Sequence, residues 1–291
     1  MGFSGVATSS SPRRWRHWTC FGPKVFFFPA SHSTSPVLIP ARAGKQIIFV
    51  TNNATKSRRA YSSKLASFGI PATADEVFGS AYSAAIYISR VLALPRDKKV
   101  YVIGEGGIEE ELASEGVQFF GGTDPAEDAK VSAEDYRTFG PDESVGVVLV
   151  GLDHGINYRK LARAYHYLQH PGTLFLATNI DSTFPTPGGL FPGAGAMSAP
   201  LSFMLGGRLP LSLGKPSQAM MDAIEGRFQF DRKRACMVGD RVNTDIKFGV
   251  EGGLGGTLGV LTGVCKEHEF LEGLDGVKPG AYVDSLCDLL G

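Results

Sequence analysis

The feature of this sequence that most constrains its fold is an alternation of short apolar runs with segments of helical periodicity, which starts at the run IIFV (47–50). After this run comes SRRAYSSKLASFGI, where apolar residues recur at helical spacing and Gly69 provides a stop. A second helix is predicted over 76–94, and further strands at KVYVIG (99–104), VGVVLVG (145–151) and TLFLATN (173–179). Because strands that alternate with helices form parallel βαβ units, the pattern predicts an α/β protein.

The order of these segments divides the chain into a core and an insertion. After Pro187 the pattern changes to a glycine-rich loop, GGLFPGAG, that leads into a helix, and strand-like runs then return toward the end of the chain. We expect a Rossmann-like parallel-sheet core formed by residues 44–84 and 186–291, interrupted by an α/β cap domain at 85–185. Residues 1–43 show no clear period, and we expect them to lie outside this fold, as disordered chain or as sequence foreign to it.

Composition excludes several classes of protein. The 291 residues carry a formal net charge of zero, so no overall charge draws the chain to nucleic acid or to an anionic membrane. No apolar run reaches the ~18 residues of a membrane span, and KVFFFPA (24–30) is too short. The four cysteines form no CxxC pair, which favours free thiols in a reducing compartment, and we expect a cytoplasmic protein. An organelle presequence is the alternative, because SSSPRRWRHW is rich in serine and arginine and free of acids.

The first candidate site follows the IIFV strand, in the sequence FVTNNAT. Ligands of open parallel sheets bind at the carboxyl ends of the strands, where Thr51 offers a hydroxyl and Asn52 and Asn53 offer amides. The following helix start adds unpaired backbone N–H groups, which suit an anion. The structural alternative is a helix cap, in which Thr or Asn satisfies the first turn.

The second candidate is Lys215 in LGKPS, between a strand-like LSL and a helix that Pro216 is expected to start. A lysine there supplies a point charge for phosphate, although a lone lysine at a strand end is more often a solvated surface residue.

The third candidate is the pair Asp240 and Asp245 in CMVGDRVNTDIKFG, on a loop that leads from an apolar strand into a helix. Two carboxylates on such a loop suit Mg²⁺, which takes few protein oxygens and keeps waters and phosphate oxygens for the rest. The alternative is an Asp turn with a cap, in which Arg241 pairs both acids. Thr, Lys and Asp at three strand ends of one sheet together predict a phosphate-plus-magnesium site.

These motifs resemble those of the haloacid dehalogenase superfamily of phosphatases, and more closely those of its 4-nitrophenylphosphatase and phosphoglycolate phosphatase family. IIFVTNNATKSR is similar to the second motif of that family, LGKPS to the third and VGDRVNTDI to the fourth. VGLDHGINYRKLARAYHYLQ and LFLATNIDSTFPTPGGLFPGAGAMSAPL are similar to its cap and to the return to the core. The resemblance covers about residues 44 to 291 and implies Mg²⁺-dependent hydrolysis of small phosphate monoesters, of the 4-nitrophenyl phosphate or 2-phosphoglycolate type.

The resemblance also implies residue roles. The family uses an Asp nucleophile that forms a phosphoaspartate, and a second Asp two residues later acts as acid and base. Its partners are small phosphorylated metabolites, and it often forms homodimers through the cap. Carried over to this sequence, Thr51, Asn52 and Asn53 bind the phosphate, Lys215 neutralises it, Asp240 ligates Mg²⁺ with support from Asp245, and Asn179 and Asp181 lie on the cap loop that faces the substrate.

The first motif of the family, a strand ending in DxDGV, is absent, because no Asp or Glu precedes Asp75. We expect the segment before residue 43 to be a misread part of the gene, the divergent end of an inactive relative, or a presequence on a truncated enzyme. The missing segment should also supply the central strand, so a gap is expected beside IIFV. The chain is therefore interpreted as an impaired phosphatase, with a non-catalytic phosphate-ligand or partner-binding relative as the alternative. A nucleotide-binding protein is a weak third interpretation, because GEGG after the strand at 99–104 lacks the G-x-G-x-x-G spacing.

Overall fold

The computed structural model describes residues 46–286 in full and, for the backbone alone, Arg13–Arg14 and Val25–Pro29. Within this part of the chain no helix has the length and apolar character needed to cross a membrane. The strands are β1 (Arg13–Arg14), β2 (Val25–Pro29), β3 (Gln46–Thr51), β4 (Val77–Gly79), β5 (Lys99–Ile103), β6 (Phe119–Gly121), β7 (Val145–Val150), β8 (Leu174–Ala177), β9 (Thr183–Thr186), β10 (Gly189–Pro192), β11 (Leu211–Ser212), β12 (Ala235–Gly239), β13 (Gly256–Val260) and β14 (Ala281–Val283). The helices are α1 (Arg58–Ser67), α2 (Ser80–Ile86), α3 (Gly106–Ser114), α4 (Asp135–Thr138), α5 (Tyr158–Leu168), α6 (Ala194–Met204), α7 (Gln218–Phe228), α8 (Lys247–Glu251) and α9 (Glu267–Glu272).

Two parallel sheets organise the fold, which confirms the predicted α/β class. The larger sheet has the strand order β1-β14-β13-β12-β2-β3-β4, and the smaller one the order β11-β8-β7-β5-β6. β9 and β10 form a separate antiparallel hairpin. The parallel arrangement brings the carboxyl ends of β12, β2 and β3 to the same edge of the larger sheet.

The strand β3 is apolar along its length because helices cover both of its faces. Ile48 and Val50 pack in a cluster with residues of α2 and α7. Ile47 and Phe49 pack on the opposite face, where the cluster includes Tyr61 of α1. A strand that is buried on both faces needs a continuous apolar run and cannot alternate with polar residues.

The expectation of a gap beside this strand is wrong. The backbone of β2 lies between β3 and β12, with Phe28 paired to Phe49 and Phe27 paired to both Ile48 and Met237. A ladder of backbone hydrogen bonds needs only an extended segment, so VFFFP can supply the central strand without any acidic residue.

The predicted boundaries of the cap also need correction. The boundary at 84/85 falls inside α2, whose residue Tyr82 packs in the core cluster while Ala84 packs with the smaller sheet. The boundary at 185/186 is too early, because Leu201 of α6 packs on the smaller sheet and Leu211 of β11 pairs with Leu176 of β8. The chain therefore returns to the core only after β11.

Two local predictions differ from the structure. The segment 76–94, predicted as one helix, begins with the strand β4, because Val77–Gly79 pairs with the end of β3. The helix predicted to start at Pro216 begins at Gln218 instead, since the side chain of Ser217 caps it by accepting from the backbone N of Ala219 at 3.2 Å.

Candidate functional site

All eight side chains predicted for the site line one cavity of about 230 Å³, which opens where the carboxyl ends of β3, β8 and β12 approach the loop after β11. The cavity therefore lies between the carboxyl edge of the larger sheet and the cap. These eight residues are Thr51, Asn52, Asn53, Asn179, Asp181, Lys215, Asp240 and Asp245.

The turn after β3 is built by its own side chains. The buried Thr51 hydroxyl accepts from the backbone N of Asn53 at 3.1 Å and lies 3.2 Å from the hydroxyl of Tyr61. The Asn53 Oδ1 atom accepts from the backbone N of Thr55 at 2.8 Å, so this amide shapes the turn. The helix-cap alternative is wrong for these residues, because Ser57 is the cap of α1. The N–H groups near Thr51 accordingly belong to a turn and not to a helix start.

Asn52 connects three segments of the site. Its Oδ1 atom accepts from the backbone N of Lys215 at 2.7 Å, and its Nδ2 atom donates to the carbonyl of Lys215 at 3.0 Å. The same Nδ2 lies 3.1 Å from Oδ2 of Asp181. The Asn52 carbonyl accepts from Asn179 Nδ2 at 2.6 Å and from the Ser80 hydroxyl at 2.8 Å. With this set of contacts Asn52 fixes the loop after β11 and the loop after β8 against the end of β3.

Lys215 is a buried cation, which excludes the interpretation as a solvated surface lysine. Only 4% of the residue is exposed. Its Nζ atom donates to Oδ1 of Asp245 at 2.6 Å and to the carbonyl of Val50 at 3.1 Å. The ammonium group is thereby held beside the carboxyl end of β3.

The two carboxylates after β12 have different surroundings. Asp245 uses both oxygens, because Oδ1 accepts from Lys215 and Oδ2 accepts from the backbone N atoms of Asp240 and Arg241 at 3.2 and 3.1 Å. Asp240 accepts at Oδ2 from the backbone N of Val264 at 2.8 Å and forms no ion pair with any residue of 46–286. Of these two carboxylates, Asp240 is therefore the one with oxygen lone pairs left to bind a ligand.

Close approach of the backbone explains two glycines at this point. A Cβ atom at Gly263 would overlap the carboxylate of Asp240, and one at Gly239 would overlap Asp245. Each acid therefore packs directly against the backbone of a glycine.

Burial raises the free energy of the ionised carboxylates in the cavity unless a cation lies beside them. Burial, and next the charge of Asp245, raise the pKa of Asp240. Burial also raises the pKa of Asp181, although the hydrogen bond from Asn52 opposes this effect. Within the described residues no group of three or more His, Cys, Asp or Glu side chains forms a ready-made metal cage. Asp240, which has no ion-pair partner among residues 46–286, is a donor that fits Mg²⁺, because Mg²⁺ takes few protein oxygens and keeps waters and phosphate oxygens as its other ligands.

The sequence did not predict several other residues of the cavity wall as site residues. Leu152 and His154 come from the loop between β7 and α5, Phe184 and Pro185 come from β9, and Arg241 follows Asp240. A signal was available for His154, since it lies in the segment GLDHG that follows a predicted strand end.

The strand β2 does not end in an acid. Pro29, the last residue of β2, is paired with Val50, whose carbonyl accepts from the Lys215 ammonium. The sequence continues as Ala30, Ser31 and His32, and these residues lie outside the described part of the chain.

Comparisons with known proteins agree with this architecture. A family model described as haloacid dehalogenase-like hydrolase matches residues 39–118, and one described as HAD-hydrolase-like matches residues 212–289. The 4-nitrophenylphosphatase of Schizosaccharomyces pombe is 54% identical over 246 residues, which are 84% of this chain and 82% of that protein. Phosphoglycolate phosphatase 2 of Arabidopsis thaliana is 43% identical over 250 residues, 85% of this chain and 82% of that protein.

A solved structure is similar over nearly the whole fold. The glycerol phosphate phosphatase of Mycobacterium tuberculosis, crystallised in complex with magnesium, has a TM-score of 0.74 and 26% identity, and the match covers 92% of this chain and 76% of that one. The identity to curated relatives over most of both chains, together with this fold, shows that the chain belongs to the haloacid dehalogenase-like hydrolases and, among them, to the phosphatases.

Proposed function

We propose that the cavity binds the phosphoryl group of small phosphate monoesters together with Mg²⁺, the arrangement from which phosphatases of this family hydrolyse them. We propose further that this chain is impaired, with turnover no higher than background, because its nucleophile position carries no carboxylate. 4-Nitrophenyl phosphate and 2-phosphoglycolate represent the substrate class.

The observation that carries this proposal is the convergence of Thr51, Asn52, Lys215 and Asp240 on one small cavity. The Thr51 hydroxyl offers a hydrogen bond to a phosphate oxygen, and Lys215 offers a buried positive charge. Phosphoryl transfer depends mainly on such positioning and charge neutralisation.

Asp240 is the residue that would hold Mg²⁺, with Asp245 acting through Lys215 and the loop backbone. Its raised pKa and its lack of an ion-pair partner among residues 46–286 support this role, because a bound cation would offset the cost of the buried charge. When bound, Mg²⁺ supplies charge neutralisation for the phosphate oxygens.

Position 29 is where the nucleophile would belong. The strand β2 ends there between β3 and β12, and its partner Val50 holds the Lys215 ammonium through its carbonyl. In the family the second Asp comes two residues after the first, which corresponds to Ser31 in this sequence. Proline at position 29 and serine at position 31 can neither form a phosphoaspartate nor act as a carboxylic acid.

The experiment that tests the proposal compares hydrolysis of 4-nitrophenyl phosphate by the chain and by the double variant Pro29→Asp/Ser31→Asp. Each is assayed with Mg²⁺ and with chelator, and the matched control is Pro29→Asn/Ser31→Asp, which has the same size but no nucleophile. We expect background turnover from the parent chain and from the Asn control. The Asp double variant should gain Mg²⁺-dependent turnover, which Asp240→Asn should abolish.

Two results would contradict the proposal in different ways. Mg²⁺-dependent turnover by the parent chain, lost in Asp240→Asn, would show that another group replaces the missing Asp and that the chain is not impaired. The second contrary result is a folded chain that shows no turnover and no rise in melting temperature with Mg²⁺ and inorganic phosphate. This result would show that the cavity is not a phosphate site. A rise in melting temperature with background turnover in every variant would instead favour the non-catalytic, phosphate-binding relative.

A further inference from the structure

Tyr61 of α1 places a buried hydroxyl group at the wall of the cavity, beside Thr51. Only 2% of the residue is exposed, and its phenol oxygen lies 3.2 Å from Oγ1 of Thr51. In the part of the chain that the structure describes, no other hydrogen-bond partner lies at this phenol oxygen. A buried hydroxyl with a single partner acts on that partner, so the role of the Tyr61 hydroxyl depends on what it does to Thr51.

The ring of Tyr61 is fixed by its surroundings. It packs in the core cluster that contains Phe49 of β3. The backbone N of Tyr61 donates to the carbonyl of Ser57 at 2.9 Å, and the Ser57 hydroxyl donates to Oε2 of Glu110 in the cap helix α3 at 2.6 Å. Because both the ring and the first turn of its helix are held, the phenol group cannot turn away from Thr51 without unpacking the core.

The hydrogen-bonding capacity of Thr51 shows what the phenol group can do. Its Oγ1 atom has two lone pairs and one proton, and one lone pair accepts from the backbone N of Asn53 at 3.1 Å. A phenol is a stronger acid than an aliphatic alcohol, so Tyr61 is the better donor of the two hydroxyls. Burial also raises the pKa of Tyr61, which keeps its proton in place at neutral pH. If Tyr61 fills the second lone pair, Thr51 is left with its proton alone to offer.

The position of Thr51 shows which group would take this proton. The carbonyl of the preceding residue, Val50, accepts from the Lys215 ammonium at 3.1 Å, and both Thr51 and Lys215 line the cavity. A phosphoryl group that contacts the ammonium at this end of β3 therefore comes close to the Thr51 hydroxyl. Deprotonated phosphate oxygens only accept hydrogen bonds, so they match a hydroxyl that can only donate.

We propose that Tyr61 is a positioning residue of the phosphate site, whose O–H group donates to Oγ1 of Thr51 and thereby directs the Thr51 proton to a phosphoryl oxygen. This inference rests on the proposed function, since it needs the phosphoryl group bound beside Thr51 and Lys215. Tyr61 itself does not contact the substrate and acts through Thr51.

The test measures, by calorimetry, the binding of inorganic phosphate to the full chain in the presence of Mg²⁺. Tyr61→Phe removes the hydroxyl and keeps the ring. We expect it to raise the dissociation constant for phosphate by roughly 3- to 10-fold, because the Thr51 proton is then free to turn away from the ligand.

Two backgrounds show whether this effect passes through Thr51. Thr51→Val has the same shape as the parent residue but no hydroxyl, so adding Tyr61→Phe there should change the dissociation constant by less than about twofold. Thr51→Ser keeps the hydroxyl, and adding Tyr61→Phe there should cost about as much as in the parent chain. A purely structural role of Tyr61 would not make its effect depend on the hydroxyl of residue 51.

Tyr101→Phe is the matched control for the loss of a buried tyrosine hydroxyl. Tyr101 is fully buried in the cap, its hydroxyl donates to Oε2 of Glu127 at 3.0 Å, and it does not line the cavity. The control should lower the melting temperature of the free chain, as Tyr61→Phe does, but should leave the dissociation constant for phosphate unchanged.

The outcomes separate this proposal from the proposed function. An unchanged dissociation constant in Tyr61→Phe would overturn the role of Tyr61 and leave the phosphate site intact. An equal loss in the parent chain and in Thr51→Val would mean that Tyr61 contacts phosphate itself or acts on the fold in general, and would also overturn the proposal. No binding of phosphate by the parent chain would overturn both the proposal and the proposed function.

Discussion

The ammonium of Lys215 and the carboxylate of Asp245 form a buried ion pair, with Nζ 2.6 Å from Oδ1 and with 5% and 3% of the two side chains exposed. The pair joins the loop after β11 to the loop after β12 across the end of β3. Two charges can be buried in this way only if further hydrogen bonds stabilise them, and backbone atoms of Val50, Asp240 and Arg241 supply such bonds. The loop positions of the candidate site therefore depend on this pair.

Asp245→Asn should destabilise the fold strongly. The substitution leaves the Lys215 charge buried without a counter-charge and turns an amide NH₂ toward backbone N–H groups, so we expect a loss of about 3–5 kcal/mol in the free energy of unfolding, measured by urea denaturation. The control is Asp75→Asn, which removes an exposed pair with Arg227 and should cost less than about 1 kcal/mol. Equal, small losses for both variants would contradict the structural role of the buried pair.

The two neighbouring asparagines should respond differently to substitution. Asn52→Ala removes the hydrogen bonds that hold the backbone of Lys215 in place, so it should weaken phosphate binding by about tenfold or more. Asn53→Ala removes only the two local bonds from Thr55 and should weaken binding less. The measurement is the rise in melting temperature with inorganic phosphate and Mg²⁺. A larger effect of Asn53→Ala would instead favour a direct phosphate contact for that side chain, as the resemblance implies.

The site was predictable from the sequence because its residues follow apolar strands in a parallel sheet. Strand ends of such a sheet meet at one edge, so Thr51, Asp240 and Asp245 could be placed together before their distances were known. Lys215 and Asn179 needed the family resemblance, since a lysine or asparagine at a strand end has a common structural explanation.

Other features could not be predicted from local patterns. VFFFP lies in a segment without a clear period and ends in proline, so it was not predicted as a central strand, and its role depends on partners more than a dozen residues away. The pairing of β11 with β8 is likewise a tertiary contact of two residues, with no local signal. The position of His154 at the cavity depends on how the cap sheet packs against the core, which the sequence pattern does not specify.

The pH dependence of stability in the cap should include a contribution from Asp135. Hydrogen bonds from Ser132 and from Arg159, the latter at 2.7 Å, lower the pKa of Asp135 to about 2. Because the folded pKa lies below the unfolded value of about 3.9, this contribution is present above about pH 4 and is lost as the pH falls toward 2. The melting-temperature difference between the parent chain and Asp135→Asn should therefore be constant near neutral pH and shrink in this acid range.

A background variant provides the control for this pH effect. Asp135→Asn introduced into Arg159→Met should change the melting temperature less than it does in the parent chain, because the hydrogen bond from Arg159 is already gone. A melting-temperature difference that grows on acidification would mean that the pKa of Asp135 is raised by folding and not lowered.

Gly263→Ala should damage the site through Asp240 alone. The added Cβ atom would overlap the Asp240 carboxylate, which must then move from its place beside Val264. We expect a loss of about 1–3 kcal/mol in the free energy of unfolding, as for other overpacked sites, and a smaller rise in melting temperature with Mg²⁺ and inorganic phosphate. Gly140→Ala is the matched control, because nothing lies within 4 Å of its Cβ position and its backbone is not in the left-handed region, so it should change neither quantity. If Gly263→Ala lowers stability but leaves the full effect of Mg²⁺, Asp240 is not the residue that holds the metal.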